Sequence, residues 1–253
     1  MKRIGFLGTG HIAAPMVRFL ASKGHEVLVS QRGADVASEL EKTVGAKVLP
    51  NQAVVDGSDI VFLCLRPAVW QGIVEPLTFR EDQQVVSVMA NVALSQIAAA
   101  IAPAHDISVT IPIGFLERGG CPLPAFPKAE PLASLFAPEN PVIEIKEETS
   151  IADHFAASAL LSAVLTVMKD GAEWLGEQTG DPVGADTYVS SLVAGFLRDV
   201  PKDGQSRILE ARSGLATPKT LNRAVVDAME AAGTRSTIHA ALQGLSDTMT
   251  KGD

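Results

Sequence analysis

Short apolar runs alternate with amphipathic segments through the first half of the chain. Continuous apolar runs are typical of strands buried on both faces of a parallel sheet. Apolar residues spaced three and four apart predict helices, here at His11–Lys23, Val36–Val44 and Leu94–Ile101. The predicted strands are Arg3–Leu7, Glu26–Ser30, Lys47–Leu49, Ile60–Leu65, Gln84–Met89, Ile107–Ile111 and Val142–Ile145. This alternation predicts right-handed βαβ crossovers and a doubly wound sheet.

The second half of the chain has a different pattern. From about Ser150 the strand signals disappear, and Ala- and Leu-rich helical patterns continue nearly to the end. The predicted helices are Ile151–Glu177, Val183–Asp199, Pro218–Ala232 and Ser236–Met249. We therefore expect an α/β domain at residues 1–149, followed by an all-α domain at residues 150–253.

The long helix predicted at Ile151–Glu177 is apolar over much of its surface. A helix of this kind is usually buried on most sides. Two arrangements would bury it: a homodimer interface, which we prefer, or a self-contained helical bundle. We expect no apolar run of transmembrane length.

A glycine motif lies between the first strand and the first helix. It reads Gly8-Thr9-Gly10-His11-Ile12-Ala13, which fits the Gly-x-Gly-x-x-Ala form of the Rossmann dinucleotide-binding fingerprint. The first glycine makes the tight turn and the second lets the backbone approach a pyrophosphate at the helix N-terminus. The first five of these residues are therefore candidate cofactor-binding residues.

The end of the second strand indicates which nucleotide is bound. NAD sites place an acidic residue about 20 residues after the glycines, where it bonds the ribose 2′-hydroxyl. Here the sequence is Ser30-Gln31-Arg32, without an acid. An arginine can hold a 2′-phosphate with charge-assisted hydrogen bonds, so these three residues favour NADP(H). The alternative for Arg32 is an ordinary surface position.

Two further loops belong at the carboxyl edge of the predicted sheet, where ligands bind in this architecture. Leu65-Arg66-Pro67 ends the fourth strand, and Ala90-Asn91 follows the fifth. Both loops are candidates for cofactor contact. Arg66 could point into the cleft or be solvated, and the sequence leaves both possibilities open.

Composition restricts the partners. The net charge of −8 argues against nucleic acid and anionic membranes, which need clustered Lys and Arg. The two cysteines and five histidines show no metal-ligand spacing, so no metal site is expected. The first predicted strand begins at Arg3, so we expect no signal peptide. We expect a soluble cytoplasmic protein with reduced thiols.

The order of these motifs resembles that of the pyrroline-5-carboxylate reductase family, within the wider 6-phosphogluconate dehydrogenase-like superfamily. The resemblance includes the glycine loop, Ser30-Gln31-Arg32, Asn51, the segment Asp59–Pro67 and the segment Val86–Val92. It returns near the end with Thr217–Asn222. The resemblance implies a Rossmann domain plus a helical dimerisation domain, with an active site between them that the dimer completes. It also adds Asn51 to the cofactor-binding candidates.

The departures from the family pattern concern the substrate motifs. Arg66 stands where the reductases have Lys, and Ile113 replaces the asparagine of their Met-Pro-Asn. In their Ser-Pro-Gly-Gly-Thr-Thr motif, Lys219 and Thr220 replace both glycines, and Asn222 replaces the last threonine. Backbone N–H groups approach a ligand closely only where side chains are small. A different ligand is therefore expected.

These observations favour an NADP(H)-dependent reductase of a small C=N or C=O compound. We expect Asn222 to donate a hydrogen bond to the acceptor, and Thr217 to serve as a helix cap or a second donor. One alternative is a β-hydroxyacid dehydrogenase-like enzyme that uses Lys169. Others are a non-catalytic NADP-binding redox sensor and a reductase with a deazaflavin partner.

Overall fold

The computed structural model describes residues 1–251 and divides into two compact units. The first unit contains residues 1–155 and the end of the last helix, from Leu245 onward. The second unit is Ala156–Gly244. The predicted boundary between residues 149 and 150 is near this division, but nothing in the sequence indicated that the end of the chain would join the first unit.

The first unit is built on one eight-stranded sheet in the order β3-β2-β1-β4-β5-β6-β7-β8. All neighbouring strands are parallel except β6 and β7, which are antiparallel. The strands are β1 (Arg3–Leu7), β2 (Glu26–Ser30), β3 (Lys47–Leu49), β4 (Ile60–Leu63), β5 (Gln84–Ser87), β6 (Asp106–Thr110), β7 (Leu123–Phe126) and β8 (Val142–Glu144). The predicted fold class, a Rossmann sheet followed by an all-helical region, is confirmed.

Strand β7 was not predicted from the sequence. Its Pro124 and the nearby Gly120, Pro122 and Pro127 hide the strand pattern, because proline and glycine weaken strand signals. The connection from β6 contains only a short 3₁₀ turn, Gly114–Arg118, rather than a crossover helix. Without a crossover helix the chain returns antiparallel.

Helices cover both faces of the sheet and form two apolar cores with it. Phe6 and Phe62 stack on one face with ring centroids 4.9 Å apart, beside Phe136. The other core contains Leu63 and Trp70. The helices are α1 (Ala13–Ser22), α2 (Ala34–Val44), α3 (Asn51–Gly57), α4 (Trp70–Val74), α5 (Leu94–Ala100), α6 (Glu130–Phe136) and α7 (Ser150–Ser158), the last of which crosses into the second unit.

The second unit consists of helices. They are α8 (Leu160–Thr179), α9 (Pro182–Asp199), α10 (Arg207–Leu215), α11 (Leu221–Ala231) and α12 (Thr234–Lys251), whose end belongs to the first unit. The segment predicted as one helix over Ile151–Glu177 is two, α7 and α8, separated at Ala159. The break at Gly180-Asp181-Pro182 is where the sequence predicted it, and the Asp181 carboxylate accepts a hydrogen bond from the Gly184 N–H. Helix α10 was not predicted.

Helix α11 begins later than the sequence indicated. We expected it to start at Pro218 with Thr217 as its cap, which is wrong. Lys219 adopts a left-handed conformation (φ 68°), so the helix begins only at Leu221. Thr220 is the cap, and its hydroxyl accepts a hydrogen bond of 3.2 Å from the Arg223 N–H.

Large apolar side chains are exposed on the helices of the second unit. Leu165 and Trp174 on α8, Tyr188 and Leu192 on α9, and Ile208 on α10 are more than half exposed. The stretch Ser150–Thr179 also contains an 18-residue window with a mean hydropathy of 1.6, which is long and apolar enough to cross a membrane, judged by length and composition. The expectation that no run reaches this length is therefore wrong. Only 6% of that window is buried.

Candidate functional site

The predicted cofactor residues of the first unit follow strands β1 to β5. These strands are all parallel, so their carboxyl ends lie at the same edge of the sheet. Ligands bind outside this edge in open α/β sheets. The fold therefore places the glycine loop and the loops after β2, β3, β4 and β5 along one edge of the sheet.

The two glycines of the first loop have different environments. Gly8 has φ +96°, and a Cβ there would lie 2.4 Å from the Cys64 carbonyl oxygen. Only glycine fits this position, because other residues rarely adopt this conformation and the added atom would collide with backbone. Gly10 is exposed, and a Cβ there would meet no atom within 4 Å. The first glycine therefore makes the turn, while the second borders open space.

Buried polar contacts join the glycine loop to the loop after β2. The Gly8 N–H donates a hydrogen bond of 2.9 Å to Ser30 Oγ, and the Thr9 hydroxyl donates to the Arg32 carbonyl. Gly33 has φ +82°, and a Cβ there would lie 2.2 Å from the Thr9 carbonyl oxygen. Ser30 and Thr9 are themselves buried, so they fix the positions of the two loops. Gly33 was not predicted as a site residue, although a glycine directly after Arg32 is a signal for a left-handed turn.

The N-terminus of α1 is open to solvent. His11 and Ile12 are exposed, no side chain caps the helix in the described chain, and its first turn holds no acidic residue. A helix N-terminus of this kind has free N–H groups and a dipole that favours an anion. This end of α1 can therefore receive a phosphate group.

Two arginines at this edge have no carboxylate partner. Within residues 1–251, Arg32 and Arg66 form no ion pair, and both are exposed, as is Gln31. Elsewhere in the first unit, Arg3 is paired with Asp59 at 2.9 Å and Arg18 with Glu39 at 2.6 Å, whereas Arg118 also forms no ion pair among the described residues. The sheet edge therefore carries positive charge that the protein itself leaves uncompensated.

The other candidates at this edge differ in exposure. Leu65 is 7% exposed and belongs to the apolar core, so it can offer only backbone groups to a ligand. Pro67 is exposed beside it. Asn51 is half-buried as the first residue of α3, directly after β3.

The loop after β5 leads into a cavity. Asn91 has a left-handed backbone (φ 58°), which is uncommon for a residue other than glycine, and Ala90 beside it is half-buried. Asn91 also lines a cavity of about 640 Å³ within the first unit. Glu148 lines it too. Glu148 is exposed at the cavity, and nothing local in the sequence indicated that it would line one.

Thr217 and Asn222 lie in the second unit, before and within α11. Both are exposed. The Thr217 carbonyl accepts a hydrogen bond of 2.7 Å from the Thr220 hydroxyl, and Asn222 Nδ2 donates to the Leu215 carbonyl at 3.4 Å. The amide of Asn222 thus helps to close the turn before α11, and its donor role toward a substrate stays a prediction.

Lys169 is an exposed residue of α8. Its ammonium group lies 2.8 Å from Glu173 and 3.5 Å from Asp170. The hydrogen bond to Glu173 is the main reason why the pKa of Lys169 is raised. A proton-transferring lysine needs the opposite shift, toward neutral pH. In residues 1–251 there is also no cluster of three potential metal ligands.

Comparison with known proteins agrees with this architecture. Residues 3–91 match the family described as NADP oxidoreductase, coenzyme F420-dependent. No curated protein matches the chain by sequence.

Three solved structures share the fold. A pyrroline-5-carboxylate reductase from Coxiella burnetii has 21% sequence identity, covers 100% of this chain and 98% of its own, and superposes with a TM-score of 0.83. The Plasmodium falciparum pyrroline carboxylate reductase, solved with NADP bound, has 12% identity, coverage of 99% and 98%, and a TM-score of 0.82. An imine reductase from Pseudomonas sp. has 18% identity, coverage of 99% and 94%, and a TM-score of 0.61. The chain therefore has the fold of the pyrroline-5-carboxylate reductases, with an N-terminal Rossmann domain that matches the F420-dependent NADP oxidoreductase family.

Proposed function

We propose that this protein is an NADP(H)-dependent reductase of a small C=N or C=O compound. The observation that carries the proposal is the open position at Gly10, at the uncapped N-terminus of α1, in a loop hydrogen-bonded to the one that holds the unpaired Arg32. A pyrophosphate fits the open helix N-terminus at Gly10, and a 2′-phosphate fits the guanidinium of Arg32. The structure with NADP bound is that of a relative with the same fold.

The protein's own residues would bind and orient the reactants. The cofactor supplies the hydride, and the chain must place it against the acceptor and exclude water. The N–H groups at the start of α1 would hold the pyrophosphate, Arg32 the 2′-phosphate, and the loop Ala90-Asn91 the nicotinamide end. Asn222 is the proposed hydrogen-bond donor to the acceptor, with Thr217 as a second donor.

Nucleotide titration tests this proposal. We expect calorimetry to give an NADPH dissociation constant at least about tenfold lower than that of NADH, a difference of about 1.4 kcal/mol. Turnover is then screened on cyclic imines, imino acids and β-keto acids, with reduced coenzyme F420 included because the matched family is described by it. If neither nucleotide binds, the proposal is refuted. Binding without any turnover would favour the redox sensor.

We also propose that the second unit forms a homodimer interface. Apolar side chains are exposed on several of its helices, including Leu165 on α8, Leu192 on α9 and Ile208 on α10. Insertion of the stretch Ser150–Thr179 into a bilayer would cover only one of these surfaces, whereas a second copy can cover all of them. The two free cysteines support a cytoplasmic location for this dimer.

Light scattering tests the dimer. The purified protein should have twice the chain mass of 26.5 kDa, and Leu165→Asp should shift it toward the single chain because a buried carboxylate is costly. The control is Gln178→Asp, an exposed position that gains the same charge on the same helix. A wild-type monomer, or recovery of the protein in the membrane fraction, would contradict the interface.

A further inference from the structure

The cavity next to the loop after β5 has the size of a small-molecule site. Its volume of about 640 Å³ lies within the range of about 300–1,000 Å³ that is typical of ligand pockets. Its walls come from the start of α5, the segment Glu148–Phe155 and the end of α12. All of these parts belong to the first unit.

Hydrogen bonds hold these walls together. The Ser246 hydroxyl donates a bond of 2.6 Å to Asp153, which fixes the end of α12 against the start of α7. The Leu94 N–H donates to Glu148 Oε1 at 3.4 Å, which joins the segment before α7 to the start of α5. The cavity is therefore a built feature of the first unit.

The lining of the cavity combines apolar side chains, neutral polar side chains and one charge. Met89, Val92, Ile151, Phe155 and Met249 supply a large apolar surface. Among the described lining residues, Glu148 is the one ionisable group, and no Lys, Arg or His is present. The cavity therefore favours a cation with an apolar body. A carboxylate placed there would find no cationic side chain and would face Glu148.

We propose that this cavity binds the substrate, and that the substrate is a cyclic imine with a bulky apolar substituent and no carboxylate, held in its protonated form by Glu148. This inference rests on the proposed reductase function. Asn91 connects the cavity with the proposed cofactor site, because it lines the cavity and also belongs to the loop proposed to hold the nicotinamide end of the cofactor.

The reaction balances without any further component. NADPH gives a hydride to the iminium carbon, a C–H bond forms, and the C=N π electrons become the nitrogen lone pair of a neutral amine. NADPH is oxidised to NADP⁺ and the iminium is reduced. The proton on nitrogen is already present in the substrate, and the carboxylate of Glu148 favours that charged form before hydride transfer.

Ligand binding to the full-length protein in the presence of NADP⁺ tests this assignment. The probes are 2-phenylpyrrolidine, a cationic amine with an apolar substituent, and proline, which has a carboxylate on the same ring. We expect calorimetry to give a dissociation constant for 2-phenylpyrrolidine that is at least about tenfold lower than that for proline. In turnover assays, 2-phenyl-1-pyrroline should likewise exceed 1-pyrroline-5-carboxylate in kcat/KM.

Glu148→Gln should weaken binding of 2-phenylpyrrolidine about tenfold and raise KM for the matching imine. Glu147→Gln is the matched control, because it removes the same charge one residue away, outside the cavity lining. Equal effects of the two variants, tighter binding of proline, or no binding of either amine would overturn the inference. If neither nucleotide binds, the reductase proposal fails, and the amine titration repeated without nucleotide still decides whether Glu148 holds a cation in the cavity.

Discussion

Replacing Gly10 by valine should strongly weaken binding of both NADPH and NADH while leaving the first unit folded. A Cβ at Gly10 would meet no protein atom within 4 Å, and this glycine does not have a positive φ. The valine side chain would therefore occupy the space in which a pyrophosphate approaches the start of α1. We expect both dissociation constants to rise at least about a hundredfold, which corresponds to about 2.7 kcal/mol.

The comparison variant is Gly8→Val. It should lower the thermal midpoint of the first unit strongly, since the added Cβ would lie 2.4 Å from the Cys64 carbonyl at φ +96°. Circular dichroism melting measures the folding of each variant, and calorimetry measures nucleotide binding. If Gly10→Val binds nucleotide as the wild type does, the pyrophosphate does not sit at this loop. If Gly10→Val unfolds, the glycine at position 10 is required for folding of the first unit and not for access of the pyrophosphate.

Arg32→Asp should reverse the preference for NADPH over NADH. Arg32 is exposed, and its guanidinium has no carboxylate partner in the described chain, so the substitution breaks no ion pair. Hydrogen bonds to charged groups contribute about 1.5–3 kcal/mol, and the aspartate adds repulsion of the 2′-phosphate. We expect NADPH affinity to fall about a hundredfold, whereas an aspartate can accept the 2′-hydroxyl of NADH.

Arg118→Asp is the control for this charge reversal. Arg118 is also an exposed arginine of the first unit without an ion pair among the described residues, and it lies outside the loops at the carboxyl ends of β1 to β5. Affinities for both nucleotides should stay within about twofold of the wild type at physiological ionic strength, because the charge change is screened over distance. Equal losses of NADPH and NADH affinity in Arg32→Asp would rule out the 2′-phosphate contact.

The sequence by itself determined most strands of the sheet and the glycine turn after β1. Strands such as Arg3–Leu7 and Glu26–Ser30 were predicted with the bounds that the structure has, because a buried parallel strand needs an unbroken local apolar run. Gly8 was also identifiable, since a left-handed turn directly after a strand requires glycine.

Only the tertiary structure decided the start of α11, the partners of the buried polar groups and the cavity. Lys219 is left-handed, although its residue type does not indicate this conformation. The contact of Ser30 with the Gly8 N–H joins two segments that are separate in sequence. The cavity likewise combines Met89, Glu148 and Met249, which lie far apart along the chain. Hydrophobic periodicity reports how each segment is buried, but it carries no information about which distant side chains meet, because that depends on how the whole chain packs.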